Sequence, residues 1–506
     1  MKLGRLAAEA GFLVGEQPGG PAESTVTGFA IDHRKVAPGT VFGAFQGGQV
    51  NGEDFVPAAV SAGAIAVVAR PQARVAGAVH LADPLPRRAF ARLAARFFTP
   101  VPATVVAVTG TNGKTSTVEM VRQIWRQCGE RAASIGTLGV TTPDGSISTG
   151  LTTPDIVTFL GNMTGLAREG VTHVAYEASS HGLAQYRNEG IPVAAGAFTN
   201  LSRDHLDYHS GMEDYFAAKM RLFTELVQDG GTAVVWADDS WSGRAAAVAR
   251  ERGLKLFSVG EAGDDLRLLA CKAGQLGQEL DVEHAGKRYR IALPLIGAYQ
   301  AANALVAAGL ALATGAEPAR VFDALPRLQP VRGRLERAVI TAAGAPVYVD
   351  YAHTPDALEA AIAALRPHVG RGEHGAGRLI TVFGAGGDRD AGKRAPMGAV
   401  AAAHSDLAIV TDDNPRGEDA AAIRAAILHG AGPGKAREIA GRHEAIAAAI
   451  AQGRAGDVVL IAGKGHEQGQ IVGSGEDMRV LPFDDVAVAR ECAGALGANV
   501  ALGSAR

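Results

Sequence analysis

The sequence predicts an α/β protein of three domains, on three observations. At 506 residues the chain is too long to fold around one hydrophobic core. Short apolar, β-branched runs alternate with helical stretches along most of its length, which is the order that builds parallel sheets. The apolar run 105–108 passes directly into Thr109-Gly110-Thr111-Asn112-Gly113-Lys114-Thr115-Ser116, a strand feeding a glycine-rich turn that opens a helix.

The elements follow in chain order. Runs 26–31, 41–45 and 64–69, punctuated by Pro38-Gly39 and Gln46-Gly47-Gly48, predict a small mixed α/β N-terminal domain over residues 1–101. Strands at 105–108, 172–176, 193–198 and 232–236, with helical stretches between them, predict a central P-loop-type domain on a mainly parallel sheet over 102–334. After Pro330-Val331-Arg332-Gly333-Arg334 a second series begins at 347–350, 379–383, 407–411 and 458–462. Each of these runs leads into a loop rich in Gly, Asp, Asn or Pro, so a C-terminal Rossmann-like α/β domain is expected over 335–506. Ligands of such sheets sit at the carboxyl ends of the strands, where those loops lie.

Composition removes several classes of function. The 52 acidic and 49 basic residues nearly cancel, and no dense Lys/Arg run marks a nucleic-acid or membrane surface. Cys128, Cys271 and Cys492 lie far apart with no C-x-x-C pair, which argues for a reducing compartment and against a zinc or disulfide framework. No signal-like N-terminus and no apolar stretch of about 18 residues is present, so a soluble, cytoplasmic protein is expected, with a monomer as the default.

The chemistry begins at the glycine-rich turn. Backbone N–H groups of Gly110, Thr111, Asn112, Gly113 and Ser116 and the following helix dipole suit phosphates, Lys114 suits the outer phosphates, and Thr115 suits Mg²⁺. The usual G-x-x-x-x-G-K-[ST] spacing is not met, because Val108 stands at the first glycine position. Glu177 follows the predicted strand 172–176. Alone it reads as a solvated loop residue, but the adjoining Ser179-Ser180-His181 and its strand-end position favour a metal-facing role. Singly, His205 and His209 read as ordinary satisfied histidines; packed with acids in Asp204-His205-Leu206-Asp207-Tyr208-His209, they make a metal and substrate shelf.

Six ordered motifs then carry a family resemblance. They are the 109–115 turn, Glu177-Ala178-Ser179-Ser180-His181-Gly182, Thr199-Asn200-Leu201-Ser202-Arg203-Asp204-His205-Leu206-Asp207, Asp350-Tyr351-Ala352-His353-Thr354-Pro355, Asp413-Asn414-Pro415-Arg416 and Gly463-Lys464-Gly465-His466-Glu467. In this order they resemble the Mur ligases over nearly the whole chain, and that family's shortened phosphate-loop pattern accounts for Val108. The resemblance implies ATP- and Mg²⁺-dependent amide synthesis in peptidoglycan precursor assembly. In that reaction meso-2,6-diaminopimelate is added to UDP-N-acetylmuramoyl-L-alanyl-D-glutamate through an acyl phosphate.

Site residues carry over with it. Lys114, Glu177, His205 and Lys219 are the implied catalytic and metal-holding set with Thr115; Lys219, by itself an ordinary helix-surface lysine, is implied to be carbamylated. Asn303, Arg334 and Asp350 are implied ATP contacts, whereas Gln300, standing where the family has asparagine, receives no role. The UDP-muramoyl-dipeptide is implied to meet Ile31, His33, Gly48, Gln49, Val50, Leu151, Thr152, Thr153, Ser179, Gln185 and Arg187, with His33 in place of the usual serine. Diaminopimelate is implied to meet Arg389, Asp413, Asn414, Pro415, Arg416, Gly463 and Glu467.

Arg416 favours diaminopimelate over L-lysine, since its fork can grip a second carboxylate that lysine lacks. Gly384-Ala385-Gly386-Gly387 lacks the final glycine and the ribose-binding acid of a dinucleotide fingerprint, so an amino-acid loop is expected there. A folylpolyglutamate-synthase-like ligase shares the nucleotide chemistry but is expected to lack the first domain and the Asp-Asn-Pro-Arg loop. A nucleotide-binding switch without catalysis needs neither Lys219 nor an amino-acid pocket.

Overall fold

The structure, a computed structural model, describes residues 1–14, 19–47, 50–147, 152–203, 208–274, 276–372 and 375–503, and of 371–372, 476 and 496–503 the backbone alone. The chain forms two compact units, Met1–Leu266 with Leu305–Val321, and Arg267–Ala304 with Phe322–Arg506.

The first unit holds two sheets. Strands Gly28–Ala30, Thr40–Gly43, Ala64–Ala69 and Val79–Ala82 pair in sequence order and in parallel. In the larger sheet, Lys255–Gly260, Val227–Trp236, Val193–Phe198, Thr104–Thr109, His173–Glu177 and Ala132–Gly136 run parallel, and Gly139–Thr141 and Ser146–Ile147 close the edge antiparallel. Val105 to Val108 at its centre are at most 2 % exposed, as a strand covered on both faces must be. The register sets Phe198 beside Thr109 and Glu177 beside Val108. Three loops, opening at Gly110, Ala178 and Thr199, therefore leave one carboxyl edge side by side. The strand runs one residue further than the sequence pattern suggested, so Glu177 is its last residue rather than the first of its loop.

In the second unit, strands Glu336–Ile340, Pro346–Asp350, Val458–Ala462, Leu379–Phe383, Leu407–Val410 and Ala436–Glu438 form a sheet in that order, antiparallel only at the first pair. Helices Pro355–Leu365, Arg394–His404 and Ala420–Ala431 bury one face. Helices Arg442–Gln452 and Asp485–Gly503 bury the other. Asp350 pairs with Ala462, so the loops after 350, 383, 410 and 462 emerge at one edge. The antiparallel hairpin Gly277–His284 with Lys287–Leu293 was not anticipated. Its signal was an alternation, with Leu280 and Val282 buried between Glu279, Asp281 and Glu283, and Ile291 and Leu293 buried at alternate positions of the partner strand.

The expected α/β class thus holds, with a parallel sheet in the first part, a mainly parallel one in the second and a mixed one in the last.

Candidate functional site

The phosphate turn is built from backbone held by backbone. Gly110 adopts φ 147°, and a Cβ there would collide with the Thr199 hydroxyl, so only glycine lets the two loops touch. Thr199 Oγ1 donates to the Asn112 carbonyl at 2.6 Å, Asn112 N donates to Asn200 Oδ1 at 2.9 Å, and Thr111 Oγ1 accepts from Ser202 N at 3.0 Å. The helix Lys114–Gln127 starts at once, with Thr115 and Ser116 buried in its first turn.

Two lysines meet on one carbonyl. Lys114 Nζ donates to Gly110 O at 2.9 Å and Thr111 O at 2.8 Å, while Lys219 Nζ donates to the same Gly110 O at 2.6 Å. Lys219, 1 % exposed on the helix Met212–Arg221, also stands 4.3 Å over the Tyr215 ring, whose hydroxyl lies 3.2 Å from Thr111 Oγ1. The surface position read for it from sequence is therefore wrong: the helix turns this lysine inward. Two ammonium groups converging on one carbonyl, one of them buried, suit a bound anion, or the loss of one of the charges.

Beside them lies a shelf of oxygens. Glu177, 2 % exposed, accepts from Thr137 N at 2.7 Å and lies 3.3 Å from Thr137 Oγ1; that hydroxyl is 3.5 Å from Thr115 Oγ1 and 3.0 Å from Thr152 Oγ1. Thr115 and Glu177 thus share one neighbour. Hard oxygen donors so placed fit Mg²⁺. Among the described residues no three His, Cys, Asp or Glu side chains gather as a metal site. His205, Gly48, Gln49 and Leu151 lie outside the described residues.

The residues of the central sheet expected to face the dipeptide come together. Thr153 Oγ1 donates to Glu177 O at 2.9 Å and lies 2.9 Å from Ser179 Oγ, and Arg187 donates to Thr153 O at 3.0 Å and Gln185 Oε1 at 2.7 Å. In the first domain Ile31 and Val50 are exposed, and His33 stacks on Phe55 at 4.5 Å. Arg87 was not anticipated. It donates to Gln46 O at 3.0 Å, and burial followed by the nearby Arg187 charge holds it below the usual arginine range.

The second unit carries two groups of residues. Asp350 accepts from Leu335 N at 2.7 Å and Ala352 N at 2.9 Å; burial pushes its carboxyl up, against the pull of Arg334 and these two donors. Arg334 lies 4.8 Å over Tyr351, and its carbonyl accepts from Gln300, whose own carbonyl accepts from Asn303 at 3.1 Å. Gln300 therefore joins two of the expected nucleotide contacts.

In the amino-acid group, Asn414 donates to Glu467 at 2.9 Å and accepts from Ile471 N at 2.9 Å. Lys464, wholly buried, donates to Asn414 at 2.7 Å and to Glu467 at 3.3 Å. Gly463 and Glu467 of the same motif were anticipated and Lys464 was not, because nothing in sequence tells a buried lysine from an exposed one. Asp413 is buried, and Pro415 and Arg416 are half-buried. Arg416 donates to Gly387 O at 2.9 Å, and Gly387 N donates to Asn414 O at 2.9 Å, so loop 384–387 packs on the 413–416 loop. Arg389 stands exposed at the rim.

Residues 25–98 match the Mur ligase family catalytic domain, 108–311 the Mur ligase middle domain, and 333–465 the Mur ligase glutamate ligase domain. The UDP-N-acetylmuramoyl-L-alanyl-D-glutamate–2,6-diaminopimelate ligase of Zymomonas mobilis is 58 % identical over 490 residues, 97 % of this chain and 98 % of the relative. The ligase of the same name from Bradyrhizobium diazoefficiens is 53 % identical over 91 % of this chain and 93 % of its own. A solved structure of a ligase of that name superposes with TM-score 0.74 at 31 % identity, covering 98 % of this chain and 99 % of its own. A Mycobacterium tuberculosis folylpolyglutamate synthase shares the fold, with TM-score 0.60 at 21 % identity over 75 % of this chain and 92 % of its own.

Proposed function

Because this chain belongs to the Mur ligase family, we propose that it joins meso-2,6-diaminopimelate to UDP-N-acetylmuramoyl-L-alanyl-D-glutamate in an ATP-dependent reaction. The observation that carries this reading is the meeting of Lys114 and Lys219 on the Gly110 carbonyl, next to the Thr115, Thr137 and Glu177 oxygens. The reaction must bring a carboxylate against a phosphate, and two anions approach only where positive charge waits for them.

The terminal D-glutamyl carboxylate takes the γ-phosphoryl group as ADP leaves. The amine of diaminopimelate then attacks the acyl carbon, giving up a proton while inorganic phosphate departs. Lys114 leaves its loop carbonyls for the outer phosphates. Arg187, with Thr153 and Ser179, orients the dipeptide; Arg87 extends that grip from the first domain. Thr115 and Glu177, with His205 and a carbamylated Lys219, are the residues to hold Mg²⁺, which supplies charge neutralisation between nucleotide and carboxylate. Lys219 as a neutral amine would add to CO₂ and lose a proton, turning a cation at this crowded carbonyl into an oxygen ligand. Asn303, Arg334 and Asp350, braced by Gln300, serve the nucleotide.

Asn414 and Glu467, held by Lys464, receive the amino acid, with Arg389 at the rim. The Arg416 fork suits the far carboxylate of diaminopimelate and has no partner in L-lysine. The division proposed is a UDP-binding domain at 1–101, an ATP-binding catalytic domain at 102–334 and an amino-acid-binding domain at 335–506, supported by the three family matches. A cytoplasmic monomer accords with it, and no helix among the described residues is long and apolar enough to cross a membrane.

Mass analysis of the product from UDP-muramoyl-dipeptide, ATP and diaminopimelate tests the reading. A product heavier by one diaminopimelate less water is expected. No product, or faster phosphate release with L-lysine, overturns it.

A further inference from the structure

The two loops assigned to the amino acid are fastened to each other from behind by a single guanidinium. Arg442 opens the helix Arg442–Gln452, and its side chain and that of Asp485 are both 0 % exposed. Nε and Nη2 each donate to the Asp485 carboxylate at 2.7 Å. The remaining reach of the fork goes elsewhere. Nη2 also donates to Ala462 O at 3.0 Å, Nη1 donates to Asp412 O at 3.3 Å, and Nη1 lies 4.0 Å from Asp413 Oδ2. Ala462 immediately precedes Gly463-Lys464, and Asp412 immediately precedes Asp413-Asn414. The loops touch at this point: a Cβ on Gly463 would stand 2.6 Å from Asp413 Oδ2.

A buried ion pair is a poor device for stability alone, since apolar side chains of similar volume usually serve the fold as well. What they cannot do is hold two carbonyls, on two different loops, at a fixed separation. A planar fork anchored on a carboxylate can. We propose that Arg442, oriented by Asp485, is a positioning residue for the amine substrate, setting the spacing between Asn414 on one loop and Glu467 on the other. Lys464 bridges the same two residues, and Arg442 holds the roots of their loops. The inference rests on the diaminopimelate reading above and adds the residue pair that shapes that pocket.

The test compares Arg442→Lys, Asp485→Asn and the apolar double variant Arg442→Met with Asp485→Leu, in the full chain, by the KM of each of the three substrates and by thermal unfolding. Small misplacements of binding groups cost about 10- to 100-fold. The KM for diaminopimelate is therefore expected to rise about tenfold or more in all three variants, while those for ATP and the UDP-dipeptide stay close to wild type. The double variant is expected to unfold near the wild-type temperature. An unchanged KM for diaminopimelate in the double variant, a parallel rise in all three constants, or a double variant that does not fold overturns the proposal, since each makes the pair a matter of folding alone. A wild-type enzyme that ignores diaminopimelate sinks the functional reading and this inference with it. A wild-type enzyme that uses it, with variants of unaltered KM, sinks this inference only.

Discussion

The phosphate turn and the amino-acid loops meet the problem of concentrated charge in opposite ways. At the turn, Lys114 and Lys219 lean on backbone carbonyls, Gly110 O taking both. In the amino-acid loops charge meets charge, with Lys464 between Asn414 and Glu467 and Arg442 locked on Asp485. A carbonyl is a weak counterpart that an arriving phosphate can displace; a carboxylate is a strong one that fixes geometry beforehand. On the function proposed above, the first region would receive charge and the second would measure shape.

The largest effect should come from the receiving region. Replacing Lys114 by Ala removes the cation directed at the outer phosphates, and turnover should fall about 10³-fold or more. Steady-state phosphate release measures it. A loss under about tenfold would mean that backbone N–H groups alone carry the phosphates, and the contrast between the regions would disappear.

Lys219→Ala should follow closely, with a loss of about 10²-fold or more. Whole-protein mass under CO₂ supplies a second reading, since a carbamate adds one CO₂ to wild type and none to the variant. Wild-type turnover in Lys219→Ala would return that lysine to an ordinary packing role.

Arg416 sharpens the comparison from the measuring side. Arg416→Leu should leave phosphate release with saturating diaminopimelate within about an order of magnitude of wild type. Its preference for diaminopimelate over L-lysine, taken as a ratio of kcat/KM, should collapse by about 10²-fold or more, because discrimination rests on a partner left unsatisfied by the wrong substrate. A ratio that does not move would place the far carboxylate elsewhere.

The two regions also differ in how far they could be read from sequence. The phosphate turn is local: strand, glycines, lysine and helix start fall within twelve residues, 105–116, and the structure puts them where the pattern put them. The parallel strands 64–69, 193–198, 379–383 and 458–462 were legible to the residue, because short buried apolar runs bounded by turn residues leave little choice. Arg87, Gln300, Lys464 and Arg442 were not legible. Each acts on a segment between 20 and 50 residues away, through Gln46, Arg334, Asn414 and Ala462 respectively, and no local pattern records such contacts. Lys219 shows the same limit, since its partner Gly110 is 109 residues distant.

Acidity separates the regions with the smallest effect. Burial, followed by the charges of Arg334 and Arg332, pushes His466 down to about 4 from the ordinary 6.5, and its ring lies 5.0 Å from Tyr351. Burial also depresses His353 and His368 in the same unit. For a depressed histidine the unfolded chain takes up its proton first. Between about pH 6.5 and about pH 4 the unfolded state therefore binds more protons, and stability is lost as pH falls through that window. His466 alone should cost about 1 kcal/mol between about pH 7 and about pH 5.5. Hydrogen exchange over that range should show amides 350–353 and 463–467 losing protection before those of 110–116, because His173, which burial also depresses, pairs with Thr104 at the other end of the strand that leads into the turn. His466→Gln should reduce the difference. Equal or earlier loss at the phosphate turn would show that charge fixed in advance by side chains is no more sensitive to acid than charge resting on backbone.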